Sequence, residues 1–167
     1  MESKTWHAVY TRSRGEKKVA ELMSRHGYTA YLPLVKTLRQ WSDRKKKVEV
    51  PLISSYVFVH VSERDYYSIL NTPGVVRYVM FEGKAAPIPE KQIRAMKIAV
   101  ENDVDLELST APISPGEAVR VVSGPMKGVE GELIRNAQKH KLLIRINHIG
   151  YALLVEVSAG NVMKTSR

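Results

Sequence analysis

Val119-Arg120-Val121-Val122-Ser123-Gly124-Pro125-Met126-Lys127-Gly128-Val129-Glu130-Gly131-Glu132-Leu133-Ile134 is the stretch on which the reading of this chain turns. Apolar residues alternate at Val119 and Val121, the period of a strand with one buried face. Gly124-Pro125 and then Gly128 mark a turn. Pro125 fixes its own φ, and the glycines take backbone angles that other residues adopt only under strain. A second strand-like run goes from Val129 to Ile134. Gly131 lies inside it, which predicts a bulge or the close approach of another backbone.

Outward from this hairpin, residues 117–164 hold only short strand patterns and glycine turns, so the expectation is a five-stranded β-barrel over 116–167. Before it, 101–107 carry four acids and no base, and 109–115 add Pro112 and Pro115 among small polar residues. Residues 101–115 therefore read as a linker.

Residues 1–100 read as β-α-β-β-α-β-α, an α+β domain with an antiparallel sheet and flanking helices. Trp6 to Arg12 has strand alternation, with Trp6, Ala8 and Tyr10 on one face and His7 and Val9 on the other. Ser13 and Glu16 have capping-box spacing for a helix over roughly 14–26 with Val19, Leu22 and Met23 on one stripe. Gly27 is placed to end it. A basic hairpin follows over 36–50, turning at Ser42-Asp43. A long β-rich run spans 48–61, a short helix 64–70 and a strand 75–81. Pro89 starts a last helix with Ile93, Met96 and Val100 on its apolar face.

Net charge is +9, and all of it lies in the first 100 residues, which hold 18 basic and 9 acidic side chains; residues 101–167 hold eight of each. A basic domain tied to a neutral one points to a polyanion for the first and a different partner for the second. Absence of cysteine excludes disulfides, thiolate metal sites and a cysteine nucleophile. No apolar leader or bilayer-length run is visible, so a soluble cytoplasmic protein is expected.

No enzyme reading survives. There is no phosphate-binding G-x-x-x-x-G-K-[ST] loop, no G-x-G-x-x-G after a strand, and no G-x-S-x-G elbow. The five histidines are scattered without metal-ligand spacing, and the carboxylates cluster in the linker, where a rigid acid–base pair is hard to hold. No catalytic residue, metal or cofactor is expected.

Binding is better supported. Arg39, Arg44, Lys45, Lys46 and Lys47 on the hairpin suit phosphate neutralisation, and Arg39 and Trp41 add planar groups able to stack on an unpaired base. The same lysines also suit a solvated edge that blocks sheet-to-sheet pairing. Arg12, Arg14, Lys18 and Arg25 form a second basic surface with the same two readings. Trp6, Tyr10, Tyr56 and Phe58 divide between core and an apolar patch for a partner helix.

The 119–134 stretch, through Gly124, Pro125, Gly128 and Gly131, resembles the KOW motif of NusG-type transcription factors and some ribosomal proteins. Three further segments carry the resemblance: Trp6-His7-Ala8-Val9-Tyr10-Thr11, Pro51 to Val59, and Thr72-Pro73-Gly74-Val75 before an aromatic strand. Together they make the chain similar to the NusG family, with an NGN domain over 1–100, the 101–115 linker and an SH3-like KOW barrel over 116–167. Ile53-Ser54-Ser55-Tyr56 replaces the Phe-Pro-Gly-Tyr of housekeeping members, and Ile149-Gly150-Tyr151 replaces Phe-Gly-Arg. The chain is most similar to specialised paralogues such as RfaH and the antiterminators of polysaccharide loci.

The resemblance implies a transcription antitermination or elongation factor that suppresses pausing and termination. Its NGN domain would contact the clamp helices of the RNA polymerase β′ subunit through Tyr10, Tyr56 and Phe58. A second contact, with the β-subunit gate loop, aligns near Asp65, Tyr66, Tyr67 and Ser68. Arg12 and Arg25, with Arg14 and Lys18 beside them, align with contacts to the non-template DNA strand; nascent RNA is the other nucleic acid open to the basic surfaces. Ribosomal protein S10 is the partner the family implies for the KOW domain, and a monomer is expected. The alternative is a KOW-containing RNA-binding or ribosome-associated protein whose first half is a basic platform.

Overall fold

The computed structural model describes residues 2–41, 44–136 and 138–165, with side chains for all of these except 38–41 and 136. The turn expected at Ser42-Asp43 lies outside the described residues. The chain divides into two compact units, Met1–Pro87 and Ile88–Arg167. It is a mixed α/β protein with antiparallel sheets, as expected.

The first unit is built on β1 (Thr5–Thr11), α1 (Glu16–Arg25), β2 (Thr29–Tyr31), β3 (Leu34–Trp41), β4 (Arg44–Pro51), β5 (Tyr56–Val61), α2 (Tyr66–Leu70), β6 (Val75–Tyr78), β7 (Met80–Phe81) and β8 (Lys84–Ala85). Its main sheet has the order β2-β5-β1-β6. β1 is central, so both of its faces are covered: Ala8 and Val9, consecutive and therefore on opposite sides, are both fully buried. One face meets the helices. Val9, Val57, Val59, Val61 and Tyr78 of the sheet cluster with Val19 and Met23 of α1 and Ile69 of α2. Each such side chain contributes roughly 1.5–3 kcal/mol when fully buried, which holds the helices on this face.

α1 starts later than the Ser13–Glu16 spacing predicts. Arg14 is left-handed at φ 62°, and the Gly15 N–H bonds the Arg12 carbonyl at 2.9 Å. This tight turn leaves Gly15 as the cap, with no side-chain cap bond. Glu16 does not reach back to Ser13; its buried carboxylate accepts the Ser55 N–H at 3.2 Å instead. At the other end the Tyr28 and Gly27 N–H groups bond the carbonyls of Met23 (3.0 Å) and Ser24 (3.1 Å), which closes the helix as Gly27 predicts.

The β-rich run at 48–61 is broken by a turn at 52–55, and the strand at 75–81 breaks after Tyr78. There the Val79 N–H bonds Ala8 at 2.9 Å, and Met80–Phe81 pair with Lys84–Ala85 in a separate hairpin around Glu82-Gly83. β3 and β4 pair only with each other, from Leu34↔Pro51 to Trp41↔Arg44.

The second unit has α3 (Glu90–Glu101), β9 (Leu106–Ser109), β10 (Glu117–Val121), β11 (Glu130–Asn136), β12 (Lys139–Ile146), β13 (Tyr151–Glu156) and β14 (Val162–Lys164). The five strands expected for the barrel are β10–β14, and β9 adds a sixth in the order β14-β10-β11-β12-β13-β9. Residues 101–115 are thus not simply a linker. Leu106 and Leu108 pair along the apolar β13 despite the acids around them. α3, expected to close the first domain at residue 100, groups with the second unit: Lys91 meets Glu130 at 2.9 Å. The Gln92 side chain both donates to Asn147 Oδ1 (2.9 Å) and accepts the Asn147 N–H (2.8 Å).

Gly131 is where another backbone comes close, not a bulge, since its pairing with Val119 is regular. A Cβ there would lie 2.7 Å from the Leu143 carbonyl oxygen.

Candidate functional site

The exposed end of the main sheet carries the first candidate surface. Tyr10 of β1 pairs with Tyr56 of β5 on one side and with Arg77 of β6 on the other. Directly paired residues share a face, so Tyr56, Tyr10 and Arg77 form a row across three strands. The tyrosine ring centroids are 4.8 Å apart, and the Arg77 guanidinium lies 4.9 Å from the Tyr10 centroid. Both tyrosines are half-buried and Arg77 is exposed.

Phe58 does not belong to this surface. It is fully buried, two residues further along β5 and opposite Ala8, with its ring 6.5 Å from that of Tyr31. Its expected role as a partner anchor is corrected: Tyr56 and Phe58 share a face, but only the Tyr56 end reaches solvent. Trp6, at the far end of the same face, is buried and stacked 4.9 Å from His60.

The turn before Tyr56 is held by α1. Ser55 is left-handed at φ 67°; its N–H goes to Glu16, and its carbonyl accepts the Thr11 N–H at 2.9 Å. On the opposite face the His7 Nδ1–H donates to the Ala86 carbonyl at 3.0 Å. Burial pulls the His7 pKa below its ordinary value.

The second candidate segment, 65–68, splits in two. Asp65 is committed to capping, since its Oδ2 accepts the Ser62 N–H (3.2 Å) and hydroxyl (3.0 Å). Tyr66 stacks on Tyr78 with centroids 4.5 Å apart and planes 9° from parallel, an arrangement that builds the core. Tyr67 (71% exposed) and Ser68 are the two that face solvent.

The basic residues are also uneven. Arg12, Arg14 and Lys18 are exposed with no acid partner among the described residues, whereas Arg25 is paired with Glu21 at 2.5 Å. Lys17, which the sequence does not single out, donates to the Glu49 carbonyl at 2.7 Å and ties α1 to β4. Arg44, Lys45, Lys46 and Lys47 are exposed along β4, and the backbone of Arg39 pairs with Lys46; the Arg39 side chain is not among those described.

In the second unit Gly124 and Gly128 take φ of 88° and 92°. The loop around Pro125 closes through Gly128 N–H to the Val121 carbonyl at 2.8 Å. It buries Met126 and Val129, so the motif's first task is structural. Ile149 is buried and Tyr151 half-buried at the start of β13. No group of metal-ligating residues occurs among the described residues. No helix there is long and apolar enough to cross a membrane.

Arg77 is the residue that sequence reasoning missed. The signal is faint: strand pairing of 75–78 with β1 was not itself predicted, and without the register nothing places an arginine over Tyr10.

The arrangement offers an aromatic row flanked by exposed cations, a surface suited to binding. A family model described as transcription termination factor nusG matches residues 4–97. The chain is similar to the transcription termination/antitermination protein NusG of Pseudomonas aeruginosa, at 24% identity, covering 97% of this chain and 99% of that protein. It is likewise similar to the protein of that name from Rickettsia felis, at 22% identity over 96% and 90% of the two chains. Among solved structures, one described as domain interaction in Thermotoga maritima NusG aligns with a TM-score of 0.48 and 21% identity over 98% of each chain.

Proposed function

The chain belongs to the NusG family, and from that premise we propose that it is an antitermination factor that rides on elongating RNA polymerase at particular operons, such as polysaccharide loci. It is a transcription factor of the NusG type by family. The departures at Ile53-Ser54-Ser55-Tyr56 and Ile149-Gly150-Tyr151 support a specialised member over a housekeeping one.

The observation that carries the reading is the Tyr56–Tyr10 pair at the solvent end of the sheet, 4.8 Å between rings, on a rigid three-strand base. Two aromatic side chains on adjacent strands are the kind of anchor that dominates a protein interface. They would dock on the β′ clamp helices, and Tyr67 with Ser68 on α2 would face the β-subunit gate loop. A ligand bridging both pincers binds the closed clamp better than the open one, and so shifts the population away from paused and terminating states. No proton or bond is moved by the protein itself. The exposed cations of the first unit supply electrostatic affinity for the non-template strand or nascent RNA. The factor acts as a cytoplasmic monomer, and its second unit would meet a further partner of the S10 type.

The test is single-round transcription with purified bacterial elongation complexes and the full chain. Shorter pause dwell times and more read-through support the reading. Unchanged kinetics together with tight binding to ribosomal RNA would favour the RNA-platform alternative.

A further inference from the structure

We propose that Arg77 is a specificity-determining residue of the docking surface, and that the partner helix seated there presents a carboxylate beside its apolar ridge. The inference rests on the polymerase-docking reading above. Arg77 stands at the end of the Tyr56–Tyr10–Arg77 row, exposed, with no acid partner among the described residues. Its guanidinium lies over the Tyr10 ring at 4.9 Å from the centroid.

That position does two things. A guanidinium placed on an aromatic face keeps its N–H fork free at the rim, already desolvated on one side and restricted in orientation. A planar fork held in this way matches a carboxylate in two-point geometry better than an ammonium does. The tyrosine row beside it is apolar, so the complementary surface is an apolar ridge ending in an acid. One turn of an amphipathic helix supplies both at i and i+3 or i+4.

The main competitor is a nucleic acid. A base would need a free aromatic face to stack on. Tyr10 has Arg77 on its ring and Tyr56 packed 4.8 Å away at 43°. The row is already engaged with itself, which favours a protein carboxylate over a stacked base with its phosphate. The unpaired Arg12, Arg14 and Lys18 lie on the β1–α1 turn and on α1, and are the better phosphate ligands.

The experiment measures binding of the full chain and its Arg77→Glu, Arg77→Lys and Tyr56→Ala variants to bacterial core RNA polymerase without DNA or RNA, and again to a complete elongation complex. Melting curves accompany each variant. Arg77→Glu is expected to weaken binding to the nucleic-acid-free enzyme by about 30-fold or more, and Arg77→Lys by about threefold to tenfold, with melting unchanged. Arg77→Glu binding within twofold of the parent on the free enzyme, while Tyr56→Ala binds poorly, overturns the role of Arg77 and leaves the docking surface standing. A defect of Arg77→Glu seen only with the elongation complex also overturns it, and assigns the residue to phosphate. If neither Tyr56→Ala nor Arg77→Glu matters, the docking reading itself fails.

Discussion

The two units handle charge in opposite ways. Residues 1–87 contain 15 basic and 8 acidic side chains, and residues 88–167 contain 11 and 9. In the second unit most of the described cations meet an acid: Lys91 and Arg120 share Glu130, Arg94 meets Glu90, Lys139 meets Glu156, Lys141 meets Glu107, Arg145 meets Glu132, and Lys164 meets Glu117. Paired hydrogen bonds from Arg120 and Lys91 hold the Glu130 carboxyl below its ordinary pKa. The hydrogen bonds that Arg145 donates to the Glu132 carboxylate hold the Arg145 pKa up. In the first unit only Arg25–Glu21 and Arg64–Glu2 are paired among the described residues, and the cations of the β1–α1 turn, the β4 strand and Arg77 form no ion pair there. Exposed pairs add little stability. The lesson concerns availability: a paired cation must break a contact before it can meet a phosphate or a foreign carboxylate, and an unpaired one need not.

The comparison extends to packing, and the largest expected effect lies there. Phe58→Ala should cost about 3–5 kcal/mol of stability, as truncation of a buried aromatic does. Thermal unfolding checks it, and a melting temperature unchanged within experimental scatter would return Phe58 to the surface. Gly131→Ala should cost about 1–3 kcal/mol in the second unit, because β11 must move off the Leu143 carbonyl to make room for the methyl. Denaturant unfolding reads this, with Gly160→Ala, which meets nothing within 4 Å, as the neutral control.

Charge availability predicts a smaller but sharper contrast. Arg12→Ala with Lys18→Ala should reduce the salt slope of elongation-complex binding by roughly one unit per lost phosphate contact. Lys139→Ala with Lys164→Ala, which removes paired cations from the other unit, should leave the slope as it was. Equal slopes for the two double variants would erase the distinction between the units.

The smallest effect is a pH dependence. His7 is half-buried, and desolvation lowers its pKa, so the unfolded chain binds its proton more readily than the folded one. The stability tied to neutral His7 is complete above its unfolded pKa of 6.5. It is lost as pH falls through that value toward the lower folded pKa. His7→Gln should flatten this part of the melting-temperature profile, and a profile equally steep in the variant would locate the titration elsewhere.

Much of this was legible in the sequence because periodicity reports burial. The hairpin at 119–134, the α1 stripe of Val19 and Met23, and the Gly27 stop all follow from local rules. What escaped depends on partners distant in the chain. The Ser13–Glu16 capping spacing was outcompeted by Ser55, 39 residues from Glu16. β9 looked like linker because its acids hid two leucines whose neighbour is β13. Tyr56 and Phe58 share a face, and no one-dimensional pattern says at which residue along that face the cover ends. Asp65 and Tyr66 have the types expected of a contact segment, yet a cap and a ring stack claim them. Arg77 has meaning only in register with Tyr10.

The central claim is that the partner docks on the tyrosine row of the first unit. It is tested most directly by replacing Tyr56 with a photo-crosslinking phenylalanine analogue in the full chain. The labelled protein is irradiated on bacterial elongation complexes, beside a matched protein labelled at Tyr151 in the second unit. The account predicts that position 56 crosslinks to the β′ subunit and that position 151 does not. Crosslinking of position 56 to nucleic acid alone, or of position 151 to β′ while position 56 stays silent, would contradict it.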